Sequence, residues 1–99
     1  MMGQDKEKLR EVARRVVWFK SPDETLADED HFIAHVLCYG SFKDVQIVRR
    51  ALGDQRIRQA LEVAPSGIFS PRQWSFWNTF YDRLPVPPMP VRRLPSRVL

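Results

Sequence analysis

Apolar residues recur along this chain at helical rather than strand spacing, in blocks punctuated by serine, glycine and proline. Leu9, Val12, Val16 and Phe19 form the first block, and Glu11 with Arg15 is a favourable i,i+4 pair. Arg14 to Phe19 is also β-branched and aromatic enough for a short extended segment. The preferred reading is a helix from about Asp5 to Val17, broken by Ser21-Pro22. Thr25-Leu26-Ala27-Asp28 has the form of a capping box, and Asp28, Glu29 and Asp30 suit a helix N-terminus. Phe32, Ile33, Val36 and Leu37 follow on one face, and Gly40 is expected to close that helix in a left-handed conformation.

Ser41 restarts a helix with Asp44 at its third position. Its inner face is Val45, Val48 and Leu52, flanked by Phe42 and Ala51, and Gly53 ends it. Asp54 is expected to cap the next helix, whose face is Ile57, Ala60, Leu61 and Ala64 and which stops at Pro65. Ala64-Pro65-Ser66-Gly67 reads as a turn, and Ile68-Phe69 as a hydrophobic staple before a new start. That start, Ser70-Pro71-Arg72-Gln73, is the clearest capping box in the chain, with proline where its missing N–H is harmless. Trp74, Phe76, Trp77, Phe80, Tyr81 and Leu84 then fall within an arc of roughly 160°, with Ser75, Asn78, Thr79, Asp82 and Arg83 opposite. The expected fold is all-α: a small bundle of four or five short helices over residues 1–84. There is no internal repeat.

Residues 85–99 read differently. Their five prolines disfavour helix and sheet, and Arg92, Arg93 and Arg97 have no acidic neighbour. The expectation is an extended, proline-rich basic arm that is ordered by a partner. Arginines would make charge-assisted contacts, and Met89, Leu94, Val98 and Leu99 would fill pockets. Two plainer readings are a disordered terminus and a segment folded back over the aromatic helix. Pro-Pro-Met-Pro-Val-Arg also fits a polyproline ligand loosely.

Charge sharpens this division. Of the net +4, the arm supplies three charges and leaves 1–84 at +1, so the basic pI is mainly a property of the tail and of Lys43 to Arg58. No apolar run approaches the roughly 20 residues of a membrane span, and the charged start is not expected to be a secretory signal. A single cysteine, Cys38, sits among apolar neighbours and fits buried packing in a reducing cytoplasm.

Candidate chemistry is sparse. His31 and His35 have the spacing of two metal ligands, but no third ligand accompanies them and Phe32 stands where a zincin carries glutamate. Asp28 to Asp30 suit helix capping better than acid–base work. No nucleophile elbow, phosphate-cradling glycine loop or dinucleotide fingerprint is present, so no catalytic residue, metal, cofactor or small-molecule substrate is expected. DNA is the alternative partner. Ser41–Leu52, Gly53 and Asp54–Val63 read as helix, turn, helix, with Arg49, Arg50, Arg56 and Arg58 available to phosphates. Only Gln55 and Gln59 offer base-reading side chains on the second helix, and any αα-hairpin has this outline.

The strings His31-Phe-Ile-Ala-His-Val-Leu-Cys-Tyr-Gly40, Asp44-Val-Gln-Ile-Val-Arg-Arg-Ala-Leu-Gly53, Ile57-Arg-Gln-Ala-Leu61 and Phe76-Trp77 together resemble a family. It comprises small bacterial proteins commonly encoded beside nucleotidyltransferase toxins of the abortive-infection type. The resemblance covers roughly residues 18–81, with Trp18-Phe19 matching an aromatic pair before the acidic stretch, and excludes the tail. It implies an antitoxin-like protein that binds and neutralises a nucleotidyltransferase toxin by direct contact in the cytoplasm.

Overall fold

The computed structural model describes residues 2–90, and all the regular structure among them is helical. Six helices follow one another: α1 (Met2–Val16), α2 (Pro22–Ala27), α3 (Glu29–Tyr39), α4 (Phe42–Leu52), α5 (Asp54–Glu62) and α6 (Pro71–Phe80). None of the described helices is long and apolar enough to cross a membrane.

The helix beyond the expected four or five is α2. Ser21-Pro22 does end α1, but it also starts a helix: the Ser21 side chain accepts from the Glu24 amide and the Glu24 carboxylate accepts from the Ser21 amide. This is the same Ser-Pro-x-Glu/Gln logic that starts α6. The capping box expected at Thr25 is therefore absent. Thr25 is buried inside α2, and Asp28 caps α3 by accepting from the His31 amide. The box at Ser41 forms as expected, with Asp44 accepting from the Ser41 amide at 3.0 Å. Asp54 is not a cap. Gly53, at φ +89°, occupies that position, and Asp54 is the first residue of α5.

α3 is the hub and packs against each of the other five helices. Such a helix must be apolar almost all round. Phe32, Ile33, Ala34, Val36 and Leu37 are all buried, and His31, His35 and Tyr39 form the one stripe that faces outward. Around α3 gather Val12 and Ala13 of α1, Val45 and Val48 of α4, Ile57, Ala60 and Leu61 of α5, and Trp74 of α6. Gly40 ends α3 with an extended backbone (φ −77°, ψ 160°), not the left-handed one expected. Its smallness serves proximity instead: a Cβ there would stand 2.7 Å from the Val36 carbonyl oxygen.

Ion pairs link neighbouring helices. Arg15 of α1 donates to Asp44 of α4, Arg10 of α1 to Asp23 of α2, and Arg56 of α5 to Glu29 and Asp30 of α3. Asp44 is nearly buried. Burial alone would raise its pKa, but hydrogen bonds from Ser41 and Arg15 outweigh that and hold it below the ordinary carboxylate value.

Candidate functional site

The geometry of α6 decides which surface the protein offers. The last carbonyls of a helix lack intrahelical donors. At the end of α3, Gly40 N–H satisfies Val36, while side chains of α6 satisfy the next two: Trp77 Nε1 donates to Leu37 O at 3.0 Å and Gln73 Nε2 donates to Cys38 O at 3.1 Å. Trp74 is buried and donates to the carbonyl of Pro87 at 2.7 Å, and the Phe69 ring packs edge-on to it at 5.3 Å. These bonds set the rotation of the helix.

With that rotation, the expected inner arc is only partly inside. Trp74 and Tyr81 are buried and Trp77 is half-buried, but Phe76, Phe80 and Leu84 are exposed. Asn78, assigned to the outer side, is fully buried, donating to Trp74 O at 2.8 Å and accepting from Arg83 at 2.6 Å. A buried asparagine persists where its amide is satisfied on both sides. The helix also ends before Leu84. Asp82 adopts φ 58°, Arg83 N–H bonds Asn78 O and Asp82 N–H bonds Thr79 O, which is a Schellman closure.

Phe76 and Phe80, together with Phe42 of α4, line a groove of about 410 Å³ whose floor is Leu37, Val45 and Trp77. Phe42 is 79% exposed, and the other two are about half exposed. Three rings in water above an apolar floor form the kind of patch that marks a contact surface. The rim is held by a network. Arg49 donates to both oxygens of Asp54 at 2.8 and 3.2 Å and lies 5.2 Å from the centre of the Phe80 ring, and the Tyr81 hydroxyl donates to Asp54 at 2.9 Å. Arg49 holds Asp54 below the ordinary carboxylate range, whereas burial and Asp54 raise Tyr81.

The same network bears on the DNA alternative. Arg49 is occupied by Asp54, and Arg56 by Glu29 and Asp30; Arg50 and Arg58 are exposed. Two of the four arginines offered to phosphates therefore hold helices together instead.

Other sequence candidates resolve into structural roles. Cys38 is half-buried and its thiol is pushed up to about 12 by burial, so it is no nucleophile at neutral pH. His35 contacts the His31 carbonyl through Nδ1 at 3.2 Å, and the two rings lie with centroids 4.3 Å apart and planes tilted by 46°. Among the described residues no three metal-ligating side chains converge. Of the arm residues, Met89 and the nearby Val86 pack against the core. Arg92, Arg93, Leu94, Arg97, Val98 and Leu99 lie outside the described residues.

The groove was half visible in the sequence. Phe76 and Phe80 stood out as members of one arc, but Phe42 was read as a flank of the α4 core face. Nothing local separates a ring that covers a core from one that stands beside it. Comparison with known protein families, with curated proteins and with solved structures finds no match for this chain.

Proposed function

We propose that this chain acts by binding another protein through the α4–α6 groove, and that its partner is a nucleotidyltransferase toxin, which it restrains in the cytoplasm. The observation that carries the contact is the placement of Phe42, Phe76 and Phe80 in the open around an apolar floor, on helices already fixed by hydrogen bonds. Preorganised aromatic anchors lose little entropy on docking and dominate binding energy at protein interfaces. The class of partner rests on the family resemblance. No residue of this chain is assigned a catalytic role.

The test is a titration of purified toxin with full-length protein and with Phe76→Ala/Phe80→Ala. Both side chains are exposed, so the variant should melt nearly as the parent does. Its affinity should fall at least tenfold, about 1.4 kcal/mol or more. Equal affinity would remove the groove from the interface. The arm is tested separately by ending the chain after Pro90, because Val86, Pro87 and Met89 belong to the packed unit. If Arg92 and Arg93 reach an acidic pocket of the toxin, this truncation weakens binding and reduces its dependence on salt.

A further inference from the structure

A second set of exposed rings shares no lining residue with the groove. Trp18 and Phe19, just past α1, meet His35 and Tyr39 of α3 around a hollow of about 470 Å³ whose other walls include Arg15 and Asp44. Trp18 is 77% and Tyr39 65% exposed. Arg15 and Asp44 neutralise one another, so the hollow selects no particular occupant. The outer face of α6 differs, because it is complementary to itself. Arg72, Ser75, Phe76, Thr79 and Phe80 recur at intervals of three and four and line a shallow trough on the side turned away from the buried Trp74 and Asn78. All five are exposed, and this is the spacing of a seam between packed helices. The seam has opposite charges at its two ends: Arg72 in the first turn of α6 and Asp82 just past the last. Among the described residues neither joins an ion pair.

We infer that this face pairs with the same face of a second copy of the chain, the two α6 helices running antiparallel about a two-fold axis. A two-fold level with Trp77 sets Arg72 opposite Asp82 of the second copy. The same register sets Ser75 opposite Thr79, because both lie equally far from residue 77. Like flanks meet in an antiparallel pair, so the phenylalanines of the two copies interleave on one side. On the other side the small hydroxyl residues let the backbones approach. A parallel pair would instead set Arg72 against Arg72 and Asp82 against Asp82. A foreign partner would have to supply the opposed charges independently, whereas a second copy carries them by symmetry. The area fits a weak pair. With Phe42 beside them, Phe76 and Phe80 bring the exposed ring surface to roughly 350 Å² per copy. Two copies thus supply nearly half of the roughly 1,200–2,000 Å² that a specific interface buries, and the polar residues of the seam add to it. Pairing covers Phe76 and Phe80, so it and binding of the proposed partner exclude one another. The inference rests on the exposure of that face and not on the partner's identity.

The test is sedimentation equilibrium of the purified full chain, with no toxin present, over about 1–200 μM at about 50 mM salt. The expected result is a reversible equilibrium between monomer and dimer that weakens as salt rises. Arg72→Glu and Asp82→Lys should each weaken pairing about fivefold or more, because each sets like charges opposite one another. An equimolar mixture of the two variants should pair as the parent does, since every facing pair is then of opposite charge. Phe76→Ala/Phe80→Ala should stay monomeric, and Trp18→Ala/Tyr39→Ala should pair as the parent does, each with an unchanged helical spectrum. A monomer at every concentration would overturn the inference, as would a dimer that survives loss of Phe76 and Phe80. A mixture that fails to restore pairing would overturn it too, by excluding the antiparallel register. Because no toxin is present, none of these failures bears on the proposed partner, and failure of the toxin titration leaves this measurement standing.

Discussion

The two aromatic surfaces are built from the same kinds of ring, yet they stand on different ground. Phe42, Phe76 and Phe80 surround Leu37, Val45 and Trp77, and the only charge in the lining, Arg49, is paired with Asp54. Trp18, Phe19 and Tyr39 surround a histidine and an ion pair between the exposed Arg15 and the nearly buried Asp44. An exposed aromatic by itself therefore says little about what binds. The groups beneath and beside it decide, because they set what an occupant must desolvate.

The largest expected effect tests whether α6 really divides into a buried side and a groove side. Trp74→Ala should cost about 3–5 kcal/mol, whereas Phe76→Ala should cost less than about 1 kcal/mol, both read by urea denaturation. Similar losses would mean that α6 is rotated and the groove does not exist.

Next comes the α3–α4 junction between the two surfaces. Gly40→Ala places a Cβ against the Val36 carbonyl, which is backbone and has little room to yield. The expected cost is about 1–3 kcal/mol in thermal or urea unfolding. Since Gly40 lines the groove, affinity for the proposed partner should drop as well.

A smaller effect isolates the wall of the hollow. Asp44→Asn removes the charge from a carboxylate that caps α4 and pairs with Arg15, and about 1–2 kcal/mol should be lost near neutral pH. The sign with pH follows from its lowered pKa. As acid is added below the ordinary carboxylate value of about 4, the unfolded chain takes up this proton before the folded one does. The stability conferred by Asp44 is thus complete above that value and disappears as pH falls through the folded pKa. Urea midpoints of parent and Asp44→Asn should accordingly converge as pH falls below the ordinary carboxylate value.

The smallest effect is a control on the groove. Asp82 adopts a left-handed backbone that glycine enters without steric cost. Asp82→Gly should raise stability by about 0.5–1 kcal/mol in a thermal melt of dilute protein and leave toxin affinity unchanged. A change in that affinity would show that the end of α6 communicates with the groove.

Much of the local architecture was legible in the residues. Ser41 with Asp44 and Ser70 with Gln73 announce their helices, because a cap is a contract among four consecutive residues. Ser21 with Glu24 obeys the same rule and was obscured by reading Ser-Pro only as a stop. Thr25-x-x-Asp28 satisfies the pattern without being a cap, since a helix already runs through Thr25. Gly40 illustrates another limit: its need for glycine comes from a backbone approach, and such closeness leaves no mark on φ-based reasoning.

Helix content and most boundaries were thus determined by the sequence itself, through interactions that span no more than a turn or two. Which sector of α6 faces inward was not. Its arc offered Phe76 and Phe80 as readily as Trp74 and Tyr81, and hydrophobicity is nondirectional. Only in the folded chain do the two open carbonyls of α3, at Leu37 and Cys38, meet the donors of Trp77 and Gln73 and set the rotation. Hydrogen bonds have direction and buried carbonyls need partners, so this long-range pairing sends Asn78 into the core and leaves two phenylalanines facing water.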